Sequence, residues 1–164
     1  MNYVSTRDKN NKVSSAEAIA HGISKEGGLF VPESFPKFSG EDFENLKKLD
    51  YIGRAKYVLK NFLTDFTEEE LDYCVNGAYT GSFDNGEPAP MARLGESINM
   101  LELWHGPTCA FKDLALQMLP YLLTVSAKKV AAGKKTVILV ATSGDTGKAA
   151  LEGFKDVAGT EIMV

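Results

Sequence analysis

The chain has 164 residues, 44% of them hydrophobic and 24% charged, with a formal net charge of -4 and a pI near 5.3. Those values describe a globular protein of about one ordinary domain, and they exclude nucleic acid or an acidic membrane face as the main partner. Cys74 and Cys109 form no CxxC pair, so neither a disulfide framework nor a zinc site is indicated, and no metal is expected. The first twelve residues lack the apolar core of a signal peptide, and Gln117 and Pro120 interrupt the most apolar segment before it reaches the length of a membrane span. The expectation is a soluble cytoplasmic protein, with an anionic small molecule still open as a ligand.

Residues 3–6 read as a short strand, followed by a turn over 8–12. Ser14 and Glu17 make a capping box that predicts a helix over 15–22. Gly27 and Gly28 stop that pattern, and Leu29, Phe30 and Val31 then form a brief strand closed by Pro32. Three helices are predicted over 41–49, 51–63 and 68–79, the last opened by a second capping box, Thr67 with Glu70. In the middle one Ile52, Ala55, Val58, Leu59 and Phe62 recur at helical spacing and mark a core-facing stripe. The acidic set Asp65, Glu68, Glu69, Glu70 and Asp72 lies about a first helical turn, where carboxylates are favoured, and reads as a solvated helix start rather than a metal site.

Glycine and proline clusters over 81–90 signal a boundary. Beyond it the prediction is a strand over 97–103, a helix over 111–132, a strand over 136–142, a helix over 146–157 and a strand opening at 161. Alternation of this kind points to an α/β fold with a parallel sheet covered by helices. The 111–132 helix is apolar nearly all round and is expected to be buried, with Pro120 kinking it or ending its first segment. Two or three strands fall short of a complete parallel-sheet domain, so the expected organisation is the front part of a longer protein.

Two stretches carry chemistry. In LELWHGPTCAFKDLALQML, residues 101–119, a single lysine, Lys112, stands where a strand-to-helix loop meets the helix. The positive end of a helix disfavours a second positive charge, which suits a lysine to covalent work as a neutral amine. Phe111 and the apolar helix on one side and the Gly106-Pro107 turn on the other suggest a partly closed pocket. His105 reads as a proton shuttle, a phosphate contact or a loop histidine bonded to its own backbone; Trp104 and Phe111 read as core or as ring-stacking platforms. The second stretch is ATSGDTGKAA, residues 141–150, between an apolar strand and a helix. Its amides form an anion site or an ordinary turn capped by Asp145 or Thr146, and its two glycines allow close approach of a ligand. Thr142 and Ala149 break the phosphate-binding P-loop pattern, and GxGxxG is absent. Asp145 would repel a phosphate seated in the same amides, so the loop is expected to hold hydroxyls, a ring or one carboxylate.

The run ELWHGPTCAFKDLALQ resembles the lysine region of threonine synthase, a pyridoxal-phosphate enzyme family of the tryptophan synthase β-like fold, and ATSGDTGKAA is similar to that family's second signature. VSTR, GGLFVPE at 27–33 and YIGRAKYVLKNFLTDF at 51–66 extend the resemblance along the whole chain. Trp104 and Cys109 depart from it, where phenylalanine and a larger aliphatic residue are more usual; neither removes a reactive group. The resemblance implies that residues 1–92 are a mainly helical N-terminal region and that 93–164 begin the cofactor-binding α/β domain. It further implies that Lys112 carries pyridoxal 5'-phosphate covalently and then moves protons, with Phe111 and Asp145 also at the cofactor. Ser143, Gly144, Thr146 and His105 are assigned to the substrate, O-phospho-L-homoserine, which the family converts with water into L-threonine and phosphate. The glycine-rich loop for the cofactor phosphate comes later in such proteins, so the remainder of the enzyme is the expected partner and this chain alone is expected to be inactive. Two alternatives remain: a phospholyase that releases an oxo acid, and a non-catalytic interaction module.

Overall fold

In the computed structural model, which describes residues 1–130 and 133–164, the chain divides into one unit of residues 1–73 with 122–134 and another of 74–121 with 135–164. The first unit opens on an antiparallel sheet in which β1 (Tyr3–Ser5) is flanked by β2 (Lys12–Val13) and β3 (Phe30–Pro32). Pro32 belongs to β3 rather than closing it, opposite Tyr3, because an edge strand tolerates a residue without an N–H. Both halves of the Ser14–Glu17 capping box form, and α1 (Ser15–His21) ends at Gly22, whose φ of 67° suits glycine.

The next helices are α2 (Gly40–Lys47), α3 (Tyr51–Phe62) and α4 (Glu68–Tyr79), close to the predicted spans. Thr67 and Glu70 exchange the two bonds of a capping box at the head of α4. The apolar stripe of α3 is only half-buried, and Val58 is exposed; the buried side chains here are Leu63, Phe66 and Leu71, which follow the helix. The acidic residues nearby are taken up in structure. Asp65 accepts from the Ser15 hydroxyl and, at 3.0 Å, from the Ala16 N–H, so it anchors the start of α1. Glu70 pairs with Lys129 at 2.7 Å and Asp72 with Lys56 at 2.6 Å.

In the second unit, β4 (Met91–Leu94) and β5 (Ile98–Leu101) form an antiparallel hairpin, with Leu94 opposite Ile98. The strand expected over 97–103 is therefore no member of a parallel sheet. A connection this short joins only antiparallel neighbours, since a parallel crossover needs about a dozen residues or more. The parallel pair is β6 (Thr136–Leu139) with β7 (Thr160–Met163), connected through α7 (Asp145–Gly153). The helix predicted over 111–132 is two helices, α5 (Asp113–Leu116) and α6 (Leu119–Val130); its expected end at Ala132 lies outside the described residues. Pro120 opens α6, where a missing N–H costs no helical bond. Burial is also one-sided: Met118, Pro120, Leu123 and Val125 are buried, whereas Leu119 and Val130 are exposed. Among the described residues no helix is long and apolar enough to cross a membrane.

α7 packs on α5 through a glycine. A methyl group added at Gly153 would lie 2.1 Å from the Leu116 carbonyl oxygen, a backbone atom that cannot swing aside. Gly153→Ala is therefore expected to lower unfolding stability by about 1–3 kcal/mol in urea titrations. An unchanged midpoint would show that the two helices separate without cost.

Candidate active site

The turn that delivers Lys112 is closed by a buried carboxylate. Asp113 has no exposed surface; its Oδ2 accepts the Thr108 N–H at 2.8 Å and its Oδ1 accepts the Thr108 hydroxyl at 2.7 Å. A carboxylate removed from water is stable only when its oxygens are met by donors, and Thr108 supplies two. Gly106 lies against the same group, so close that an added methyl would sit 2.5 Å from Asp113 Oδ2. The Cys109 N–H donates to the Gly106 carbonyl at 3.0 Å, and Cys109 itself takes a φ of 58°. The sequence pointed to the Gly106-Pro107 turn but not to the Thr108–Asp113 pair. A threonine five positions before an aspartate is a common loop pattern, and only burial distinguishes this pair.

Lys112 is the N-cap residue of α5, and its Nζ lies 4.5 Å from the centroid of the Phe111 ring. It makes no ion pair among the described residues. The helix behind it has only four residues, so the long-helix field expected to act on the lysine is reduced to that of a single turn. Phe111 is 60% exposed and Trp104 47% exposed, so neither is core.

His105 is oriented by side chains rather than by its own backbone. Its Nε2 lies 2.7 Å from Glu102 Oε2, its Nδ1 lies 4.0 Å from Asp84 Oδ2, and its ring stacks with Trp104 at 5.5 Å. The imidazole is thus held between two carboxylates, one of them in close contact. Glu102 was a missed partner, three positions away in sequence.

In the second stretch the cap of α7 is Gly144, at a φ of 153° and without a side-chain cap bond, rather than Asp145 or Thr146. Asp145 is the first helical residue, where a carboxylate is favoured by the helix end. Ser143, Gly144, Asp145 and Thr146 are all exposed. Gly147 is buried and serves the fold, since an added methyl would lie 2.4 Å from Thr142 Cγ2. Lys148, also missed, donates from its Nζ to the Thr108 carbonyl at 3.0 Å and so joins the second stretch to the lysine turn.

Residues 2–79 match the family described as threonine synthase N terminus. Threonine synthase of Escherichia coli K12 is 34% identical over 100% of this chain and 36% of its own length, and that of Pseudomonas aeruginosa PAO1 is 37% identical over 100% and 34%. Among solved structures, the pyridoxal-phosphate-bound threonine synthase of Brucella melitensis superposes with a TM-score of 0.90 at 34% identity, covering 99% of this chain and 34% of that one. Residues 2–79 belong to the threonine synthase N-terminus family, and similarity to threonine synthases runs the length of the chain. It spans about a third of the length of the threonine synthases it matches. The α/β architecture is the one those structures share, and threonine synthase-like 1 of Mus musculus is also similar, at 42% identity over 85% of this chain and 19% of that protein. Alignment with the Escherichia coli threonine synthase runs the length of the chain, so the Lys112 turn and residues 143–146 both fall within it.

Removing the buried carboxylate strands two donors on Thr108. Asp113→Ala is expected to cost about 1–3 kcal/mol of stability, read from the midpoint of chemical unfolding. A loss below about 0.5 kcal/mol would mean that water replaces the carboxylate and that the turn does not depend on it.

Proposed function

We propose that this chain is the N-terminal part of a threonine synthase, and that the complete enzyme converts O-phospho-L-homoserine and water into L-threonine and phosphate with pyridoxal 5'-phosphate. The observation that carries the reading is Lys112: an amine without a carboxylate partner among the described residues, beside an exposed ring, on a turn fixed by the Asp113–Thr108 bonds. The donor set fits the cofactor. Lys112 Nζ provides the attachment point, and the Phe111 face lies next to it. The exposed hydroxyls of Ser143 and Thr146 and the uncapped start of α7 offer donors for a carboxylate or a ring hydroxyl.

When bound, the cofactor supplies an electron sink for negative charge at the substrate's α carbon. Lys112 Nζ would hold the cofactor and would serve as general acid and base toward the substrate's carbon. Ser143, Gly144 and Thr146 bind the substrate carboxylate, and Asp145 would help to hold the cofactor. The Asp145 charge in the first turn of α7 repels phosphate, so the cofactor's phosphate is held away from this loop. His105, whose Nε2 is held by Glu102, contacts the substrate. Residues 1–92 serve as the helical N-terminal region and 93–164 as the first part of the cofactor domain.

The remainder of the enzyme is the partner this region requires. Parallel strands are normally covered on both faces, yet Leu139 is 73% exposed and Met163 66% exposed on β6 and β7. The enzyme is assigned to the cytoplasm. A second reading draws on the 42% identity to threonine synthase-like 1: a phospholyase that eliminates phosphate and releases an oxo acid. Product analysis separates the two, since only the synthase yields threonine.

Lys112→Ala in the full-length enzyme is expected to lower threonine formation by on the order of 10³-fold or more, and the 164-residue chain alone is expected to form none. Retained turnover in the variant would refute the lysine assignment, and threonine produced by the isolated chain would refute its dependence on the remainder.

A further inference from the structure

The two stretches assigned to the site lie 30 or so positions apart in sequence, on separate elements, and a reaction between groups held by each demands that they keep a fixed relation to about half an ångström. α5 and α7 already touch at Gly153 and the Leu116 carbonyl. That contact is at the far end of α7, a helix of nine residues, and cannot by itself fix the end bearing residues 143–146.

A polar path does reach that end. The backbone N–H of Lys148 donates to the Gly144 carbonyl at 3.0 Å, as the first helical bond of α7. The Nζ of the same residue donates to the Thr108 carbonyl at 3.0 Å. Thr108 in turn gives its N–H and its hydroxyl to the buried Asp113 carboxylate, whose chain neighbour is Lys112. All three polar groups of Thr108 are therefore engaged, the donors by an anion and the acceptor by a cation. Charged partners make such bonds shorter and stronger than neutral ones.

We infer that Lys148 is a positioning residue: through the Thr108 carbonyl it ties the start of α7 to the turn latched by Asp113, so that Lys112 and residues 143–146 hold one geometry. The role rests on the reading of Lys112 and residues 143–146 as the site. It assigns Lys148 no contact with substrate or cofactor. Its side chain is spent on the protein itself, although a lysine in a strand-to-helix motif with two glycines invites a phosphate-binding interpretation.

The test uses the full-length enzyme with Lys148→Met, which keeps the aliphatic stem and removes the donor, and Lys148→Arg, which restores a cation of similar reach. Lys148 is exposed and its backbone bonds are unaffected, so both variants should fold, as retained cooperative unfolding would confirm. Two readouts are followed: hydrogen exchange in the 106–113 segment, and the rate at which pyridoxal phosphate followed by borohydride labels Lys112. Loss of one charge-assisted bond predicts roughly tenfold faster exchange at Thr108 and roughly tenfold slower labelling in Lys148→Met, with substantial recovery of both in Lys148→Arg. Unaltered exchange in Lys148→Met would overturn the tether, and accelerated exchange with unaltered labelling would overturn its positioning role. If wild-type Lys112 takes no label, the site reading itself fails, and the exchange result still reports on the tether alone.

Discussion

A carboxylate with no exposed surface governs the lysine turn. Asp113 is tolerated inside the second unit because Thr108 meets it with an N–H and a hydroxyl, and that requirement propagates outward. Position 106 must be glycine for the turn to close over the carboxylate. Thr108 is then held at a point where its remaining carbonyl faces Lys148, and Lys112, adjacent to Asp113, is placed at the head of α5. A single buried carboxylate thus sets the shape of a loop whose proposed reactive residue, Lys112, is itself outside the buried region.

The chemistry assigned to the site follows from this division of labour. Reactive groups need exposure and freedom from competing partners, while their supports need burial and full hydrogen bonding. Residues 143–146 are exposed, and Lys112 lies beside the exposed Phe111 ring. Asp113, Gly106 and Gly147 are buried. The exposed apolar side chains of β6 and β7 extend the same logic to a larger scale: Leu139 and Met163 lie uncovered on a parallel pair, whereas parallel strands are normally covered on both faces.

Features encoded by near neighbours were legible in the sequence. The Ser14–Glu17 and Thr67–Glu70 boxes announced α1 and α4 because both partners of each bond lie within one helical turn. The β6–α7–β7 unit was legible from the alternation of apolar strand and amphipathic helix. Longer-range bonds were not. β2 has two residues and β4 four, too few to show a period, and their pairing depends on β1 and β5. The break of the 111–132 helix was signalled by Pro120, yet its consequence for Lys112, a single turn of helix in place of a long dipole, required the structure. The family resemblance pointed to Lys112 and to residues 143–146, but the bond from Lys148 to Thr108 spans 40 positions and leaves no local trace.

The central claim is that Lys112 is the cofactor-bearing residue. Full-length enzyme treated with pyridoxal phosphate and borohydride, digested and mapped by mass spectrometry, tests it directly. The account predicts a single pyridoxyl adduct on the peptide containing Lys112. An adduct found on another lysine, with Lys112 unmodified, would contradict it.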